Sequence, residues 1–203
     1  MKYLFVDSAT ATLVVAIVID NEIKYIFNQK TGKDMSSIIM PKIKEAFDAS
    51  EISPKDLDKI FVVTGPGSFT GIRVGLTVIK TMAWALKIPV VPVSSLEVIA
   101  SGTPDENNIA LIDARRGYVF AGGYNNKLKN TFKDQYVLLS KIKEKGTFIS
   151  YDNIENTIKP KIDVLKVIKH HENHGGVNPH GLNPNYLKLT EAEEKLKNDR
   201  KSK

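Results

Sequence analysis

The sequence contains no cysteine among its 203 residues. Disulfide bonds and thiolate metal sites are therefore excluded, and a reducing, intracellular environment is allowed. Long apolar runs are also missing, because Asp7, Ser8 and Thr10 interrupt the N-terminal segment MKYLFVDSATATLVVAIVID. The interruption comes too early for a signal-peptide core or a membrane span. We therefore expect two strands and a turn at the N-terminus, in a cytoplasmic protein with no membrane partner.

Histidine occurs only four times, always within the segment HHENHGGVNPH at positions 170–180. His170 and His174 have the i, i+4 spacing that places two imidazoles on one helix face for zinc. Glu172, however, is not where zinc proteases carry their base, and the glycine pair that follows His174 would end a helix at once. An exposed loop is the favoured interpretation, and we expect no metal site in this chain.

Basic residues are in excess, with 29 Lys and Arg against 23 Asp and Glu. Residues 1–103 hold 11 basic and 10 acidic side chains, whereas residues 127–169 hold 10 and 5, so most of the excess lies in the second half. A polyanion such as RNA could bind there. The alternative is a solvated lysine-rich surface, which the lack of interleaved aromatic residues favours.

Hydrophobic periodicity predicts three strands and a helix in the first fifty residues. Strands are expected over residues 2–7, 12–19 and 22–28. Apolar residues spaced by three and four then predict a helix from Met35 to Phe47. Pro41 lies inside this helix and should kink it or restart it.

Strands alternate with helices further along the chain. The predicted elements are a strand over 59–63, a helix over 70–87, a strand over 90–93 and a helix from Ser94, which opens the capping box Ser94-x-x-Glu97. Residues 101–108 are a polar linker, and strands are expected near 109–113 and 117–124. This order predicts an α/β protein with mixed sheets flanked by helices.

The segment GPGSFTGIRVG lies between a strand and a long helix, an order typical of phosphate-binding loops. Its loop residues are Gly65, Pro66, Gly67, Ser68, Phe69 and Thr70. A Walker loop needs a lysine where the chain carries Gly71, and a dinucleotide fingerprint needs a glycine where it carries Thr70. A tight turn that lets the helix pack on the sheet is favoured, while anion binding by free amides stays an alternative.

The helix behind the loop is apolar on nearly every side from Ile72 to Leu86. Gly71 and Gly75 are four residues apart, a spacing at which small residues let another helix approach closely. One interpretation is a central core helix. The other is a helix that its own sheet covers in part and another subunit covers in part, next to the helix that begins at Met35.

Few residues are candidates for catalysis. Asp7 ends a strand and precedes Ser8, at a place where sugar kinases and actin-like ATPases carry an acid, a glycine and a hydroxyl for metal and phosphate. Here Ala9 replaces the glycine. Asp7 and Ser8 are therefore kept as possible nucleotide contacts.

Five segments carry a resemblance to a known family. They are VDSATA, GPGSFTGIRVG, IPVVPVSSLEVIA, LIDARRGYVFAGGY and PNYLK, in this order over most of the chain. Together they resemble the bacterial TsaB family, also called YeaZ. The resemblance implies an actin-like ATPase (ASKHA) fold of two RNase-H-like lobes. The expected divisions are an N-terminal lobe over 1–103, a smaller lobe over 104–186, and a C-terminal helix and tail over 187–203 with a capping box that opens at Thr190.

The resemblance also implies a function. It points to a non-catalytic scaffold or activator subunit of the machinery that forms N6-threonylcarbamoyladenosine at position 37 of tRNAs reading ANN codons. The implied partners are TsaD, which transfers the threonylcarbamoyl group, and the ATPase TsaE, with a homodimer when the chain is alone. ATP or ADP and metal are expected on TsaD and TsaE, and tRNA is expected to bind through the complex.

The partner-binding surface implied by the resemblance lies on the helices before and after the glycine loop. The expected contact residues are Met35, Ile38, Ile39, Ile43, Gly71, Ile72, Arg73, Val74, Gly75, Val78 and Met82. Many family members carry His-Ser-Glu ahead of the first helix, where this chain has Asp34-Met35-Ser36-Ser37. An older description of the family as a glycoprotease requires a histidine pair in the first lobe, and no histidine precedes His170.

The alternative is a small actin-like enzyme that binds or hydrolyses ATP in the cleft between the lobes, using Asp7 and the glycine loop. The missing phosphate-loop glycine and lysine favour the scaffold subunit. We expect the isolated chain to have neither ATPase nor peptidase activity, because no set of residues completes either site.

Overall fold

The computed structural model describes residues 1–188, so the capping box predicted at Thr190 and most of the predicted C-terminal helix and tail over 187–203 lie outside the described residues. Residues 1–188 form two β-sheets with helices packed on them. Within this range no helix combines the length and apolar character that a bilayer span requires.

The first sheet is mixed and has the strand order β3-β2-β1-β4-β5. Its strands are β1 (Lys2–Asp7), β2 (Thr12–Ile19), β3 (Glu22–Lys30), β4 (Lys59–Gly65) and β5 (Val90–Ser94). The first three strands are antiparallel neighbours, whereas β4 pairs in parallel with both β1 and β5. Strands β1, β2 and β4 are buried along nearly their whole length because they occupy the middle of the sheet.

The second sheet has the order β8-β7-β6-β9 and is also mixed. Its strands are β6 (Asn108–Asp113), β7 (Tyr118–Tyr124), β8 (Asn130–Leu138) and β9 (Thr147–Ile149). Strands β6, β7 and β8 are antiparallel, and β9 pairs in parallel with β6. The predicted mixed sheets flanked by helices are confirmed.

Within residues 1–188, four α-helices pack on the sheets. They are α1 (Met35–Ala49), α2 (Phe69–Leu86), α3 (Ser95–Ala100) and α4 (Val164–His171). Pro41 does not restart the first helix, because α1 runs through it without a break, and the alternative of a kink stays a prediction. Pro41 and Ser37 are both exposed, so water can bind the Ser37 carbonyl that lacks its usual amide donor.

The capping box predicted at Ser94 forms only in part. The Ser94 hydroxyl accepts from the Leu96 amide at 3.2 Å, which makes Ser94 the N-cap of α3. The Glu97 carboxylate, however, contacts the His171 imidazole of α4. His171, 74 positions further along the chain, therefore binds the Glu97 carboxylate that the local pattern assigned to the capping box.

The packing crosses the lobe boundary that was predicted at residue 103. Helix α3 lies between the two cores, with Val98 in the first and Leu96 and Ile99 in the second. Helix α4, which follows the second sheet in the chain, places Val167 and Ile168 in the first core. The division into domains stays a prediction, since α3 contributes to both cores and α4 packs in the first.

Candidate functional site: the glycine loop and the surface between α1 and α2

The glycine loop is packed against the connection between β1 and β2. The Ser68 amide donates to the Ala9 carbonyl at 2.7 Å. Gly67 has a φ of 153°, and a Cβ at this position would overlap the Ala9 carbonyl oxygen. The Ser95 hydroxyl of α3 donates to the Pro66 carbonyl from another side. The glycines therefore allow three parts of the chain to meet at the loop.

A C-terminal strap, residues 182–186, lies across the other side of the loop. The Asn185 amide donates to the Thr64 carbonyl at 2.8 Å, and Lys80 of α2 donates to the Leu182 carbonyl at 2.9 Å. A Cβ on Gly65 would lie 3.1 Å from the Asn185 carbonyl oxygen. The segments GPGSFTG and PNYLK, which the sequence shows as separate motifs, therefore form one packed unit.

Asp7 and Ser8 are buried behind the loop and do not line the cleft between the lobes. The Ala9 amide donates to the Asp7 carboxylate at 2.8 Å, and the Ser8 hydroxyl donates to the Gly71 carbonyl at 2.9 Å. Burial raises the pKa of Asp7 to about 6, although the Ala9 N–H opposes the shift. The Ser8 hydroxyl and one oxygen of the Asp7 carboxylate are bound within the chain, which counts against their predicted role as nucleotide contacts.

The cleft itself is a cavity of about 410 Å³. One wall consists of Thr10 and the loop residues Gly67 to Thr70, and the other includes Asp113, Arg115 and Asp152 from the second lobe. The Asp113 amide donates to the Asp152 carboxylate at 2.8 Å. The acidic groups of the cleft and its arginine thus come from the second lobe, where sequence reasoning placed no candidate.

The predicted approach of a partner at Gly71 and Gly75 is corrected by the structure. A Cβ on Gly71 would overlap the Ser8 carbonyl oxygen, and a Cβ on Gly75 would overlap the Ser8 hydroxyl. The two glycines let α2 lie against the end of β1 in the same chain. The spacing of the two glycines correctly predicts a close approach, but the segment that approaches α2 belongs to the same chain.

Several other predicted contact residues also belong to the core of this chain. Met35, Ile39 and Ile43 are at most 6% exposed, and Ile72 is 1% exposed. Their helical spacing reflects burial against the first sheet. Ile39, Ile43 and Ile72 are therefore unavailable to a partner while the chain is folded, whereas Met35 also lines a recess between α1 and α2.

Ile38 lies on the side of α1 that faces β3. One turn further on, Lys42 lies over the Phe27 ring at 4.7 Å, and another turn on, Glu45 accepts from the Tyr25 hydroxyl. Ile38 is half-buried against the core. Ile38 therefore packs on the β3 side of α1, and its role as a partner contact stays a prediction.

An exposed apolar surface remains on the other side of α1, and we call it the α1–α2 face. It consists of Met40 on α1 and Val74, Val78 and Met82 on α2. Met40 is 52% exposed and the three α2 residues are half-buried. Ser36, one turn before Met40, shares a recess of about 430 Å³ with Val74. Sequence reasoning missed Met40. Its spacing of four from the polar Ser36 puts these two residues on one side of α1, apart from the buried stripe, and this was the signal that could have found it.

Arg73 is exposed on the side of α2 that faces the C-terminal strap and is held by two aromatic rings. Its guanidinium lies 3.6 Å from the centre of the Phe69 ring, and its Nε donates to the Tyr186 hydroxyl at 2.8 Å. Phe69 and Tyr186 stack at 5.4 Å and are 49% and 42% exposed. A fixed arginine between aromatic residues is typical of the anchors found in protein interfaces.

The zinc pair suggested by the spacing of His170 and His174 does not form. The His174 ring accepts from the Gly176 amide, whereas His170 lies beside His171 with ring centres 4.8 Å apart. His171 Nε2 is 2.9 Å from each oxygen of Glu97. These three side chains form a cluster that the sequence could not show.

Comparisons with known proteins agree with this fold. A family model described as "TsaD: tRNA N6-adenosine threonylcarbamoyltransferase" matches residues 18–158. The tRNA threonylcarbamoyladenosine biosynthesis protein TsaB of Bacillus subtilis is 32% identical over 96% of this chain and 97% of its own length. The protein of the same name from Escherichia coli is 30% identical, over 61% of this chain and 55% of its own.

Structural comparison gives the same relationship. The crystal structure of YeaZ from Pseudomonas aeruginosa superposes with a TM-score of 0.81 over 92% of this chain and 99% of its own, at 21% identity. This likeness shows an RNase-H-like fold of the actin-like ATPase type. With the match over nearly the whole Bacillus subtilis protein, the chain belongs to the TsaB family of tRNA threonylcarbamoyladenosine biosynthesis proteins.

Proposed function

We propose that this chain is a non-catalytic subunit of the machinery that forms N6-threonylcarbamoyladenosine in tRNA, and that it binds TsaD through the α1–α2 face. TsaE joins the complex, and TsaD and TsaE hold the nucleotide and metal. The observation that carries the proposal is an apolar surface between two helices beside a loop whose groups are bound within the chain.

The shape of the α1–α2 face suits a helix from a partner. Val74, Val78 and Met82 recur every four residues along α2 and so form one stripe. Met40 on α1 forms the opposite wall, one turn after Ser36, which lines the recess together with Val74. An amphipathic helix lying between these walls would cover the half-exposed apolar side chains.

The match to the TsaD family model supports TsaD as the partner. Two chains of related fold can pair through equivalent helices about a pseudo-two-fold axis, because each then offers a similar surface to the other. A second copy of this chain would use the same face when TsaD is absent. The homodimer and the complex with TsaD are therefore expected to exclude each other.

The internal contacts of the loop support a non-catalytic role. The Ser68 amide, the Ser8 hydroxyl and one oxygen of the Asp7 carboxylate are bound to the chain itself. The second candidate, a small ATP-binding enzyme, is favoured only by the cavity of about 410 Å³ between the lobes. Calorimetry with Mg-ATP on the purified chain separates the two, since micromolar binding without a partner would support the enzyme.

Reconstitution tests the proposal directly. TsaD, TsaE, a threonylcarbamoyl donor and tRNA are incubated with and without this chain, and the modified nucleoside is quantified. We expect modification to need the chain and to persist with the Asp7→Asn variant. Modification that proceeds equally well without the chain would contradict the proposal. So would hydrolysis of ATP by the isolated chain, if the Asp7→Asn variant lost that activity.

A further inference from the structure

Glu97, His170 and His171 bring a carboxylate and two imidazoles together where α3 meets the end of α4. One ligand atom from each side chain lies within 4.8 Å of those of the other two. The Glu97 side chain is only 7% exposed, and His171 is 22% exposed. His170 is exposed and forms the outer side of the cluster.

The donor set is one that zinc binds. Two imidazole nitrogens and one carboxylate oxygen, with a fourth position left to water, are an established zinc ligand combination. Ligand atoms of a tetrahedral zinc lie ~3.3 Å apart when each is ~2.0 Å from the metal. The 2.9 Å separation of His171 Nε2 and Glu97 must widen slightly, and the exposed His170 ring must move inward.

The surroundings favour a cation. The carboxyl group of the half-buried Asp134 accepts from the Ser94 and Tyr124 hydroxyls. Burial is the main cause of its raised pKa, and the negative charge of Glu97 adds to the shift. The two histidines occupy the last turn of α4, where the helix dipole favours positive charge.

We propose that Glu97, His170 and His171 bind one zinc ion that fastens α4 to α3. The metal would take the place of the proton between His171 and Glu97. It would also bind His170, which takes no part in the contact between His171 and Glu97. Because α3 contributes to both cores and α4 packs in the first, the ion would fasten α4 to the helix that lies between the cores. The prediction that the chain has no metal site is thereby revised.

The test uses the full chain after removal of any histidine tag, with zinc titrated against a chromophoric chelator. We expect one zinc per chain and an affinity that falls at least about tenfold in His170→Gln, His171→Gln and Glu97→Gln. His174→Gln and His180→Gln are the matched controls, since both residues lie in the same segment outside the cluster and should bind zinc like the wild type. Cobalt, as a spectroscopic substitute, should give the intense visible bands of a four-coordinate site.

A thermal melt gives a second readout. Zinc should raise the melting temperature of the wild type and of the two controls. It should not change the melting temperature of the His170→Gln variant. His170 is exposed, so this variant should keep its fold even if Glu97→Gln does not. The proposal is overturned if zinc does not bind, if His170→Gln binds like the wild type, or if a folded Glu97→Gln variant does, because adjacent histidines alone would then explain the binding.

Discussion

At the residue scale, Asp7 is the acid whose environment differs most from water. Burial raises its pKa from 3.8 to about 6, and the Ala9 N–H only partly offsets the shift. When the pKa of an acid is higher in the folded than in the unfolded chain, the acid makes its full contribution to the free energy of unfolding below its unfolded-state pKa. That contribution is lost as the pH rises through its folded-state pKa. Asp7 therefore lowers the stability of the chain at neutral pH.

Replacing this acid should stabilise the chain in a pH-dependent way. Asp7→Asn keeps an oxygen that can accept from the Ala9 amide but removes the buried charge. We expect the free energy of unfolding to rise by up to about 3 kcal/mol at about pH 7.5, and the gain to become small at about pH 4. Urea denaturation at the two pH values measures it. A gain of equal size at both would show that charge is not the cause.

The contact between Gly75 and Ser8 gives a second residue-scale prediction. Gly75→Ala puts a methyl group where the Ser8 hydroxyl lies, so we expect a loss of about 1–3 kcal/mol from overpacking. Ser8→Ala in the same chain removes the overlapping oxygen and should recover part of the loss. A double-mutant cycle from urea denaturation measures this coupling. Strictly additive effects would show that the two residues do not touch.

At the element scale, the sequence predicted the positions of most strands and helices because their apolar spacing is regular. It could not predict what covers each helix face. Met35 and Ile39 share the stripe that periodicity identified, but that stripe packs on the first sheet and leaves Met40 exposed. Glu97 and His171 show the same limit, because their contact spans 74 positions and has no local signal.

The C-terminal strap provides the prediction that belongs to this scale. Tyr186→Ala removes both the stacking on Phe69 and the acceptor for Arg73, whereas Tyr186→Phe removes only the acceptor. We expect Tyr186→Ala to lower the free energy of unfolding by about 1–2 kcal/mol and Tyr186→Phe by less. Hydrogen exchange should show faster opening around Asn185 in the alanine variant. Protection identical to the wild type would mean that the strap is held elsewhere.

At the scale of the whole molecule, the uneven charge leads to a prediction about RNA. Lys141, Lys143 and Lys145 are exposed in the second lobe. Any direct contact of the isolated chain with tRNA should be weak and salt-sensitive, and replacing all three lysines with glutamate should weaken it and flatten its salt dependence. Filter binding at two salt concentrations measures both effects. Binding that the triple variant leaves unchanged would place the contact elsewhere.

The central claim is that the α1–α2 face binds TsaD. Met40→Lys/Val78→Lys puts two charges on this face, where a partner would bury them unpaired. Ile23→Lys/Ile26→Lys is the matched control, because it adds the same charge at apolar residues of β3 that are 38% and 46% exposed. Circular dichroism and thermal melting establish that both variants are folded. By sedimentation, the first variant should bind TsaD at least about tenfold more weakly and stop forming homodimers, while the control behaves like the wild type. A folded Met40→Lys/Val78→Lys variant that binds TsaD with wild-type affinity would contradict the account.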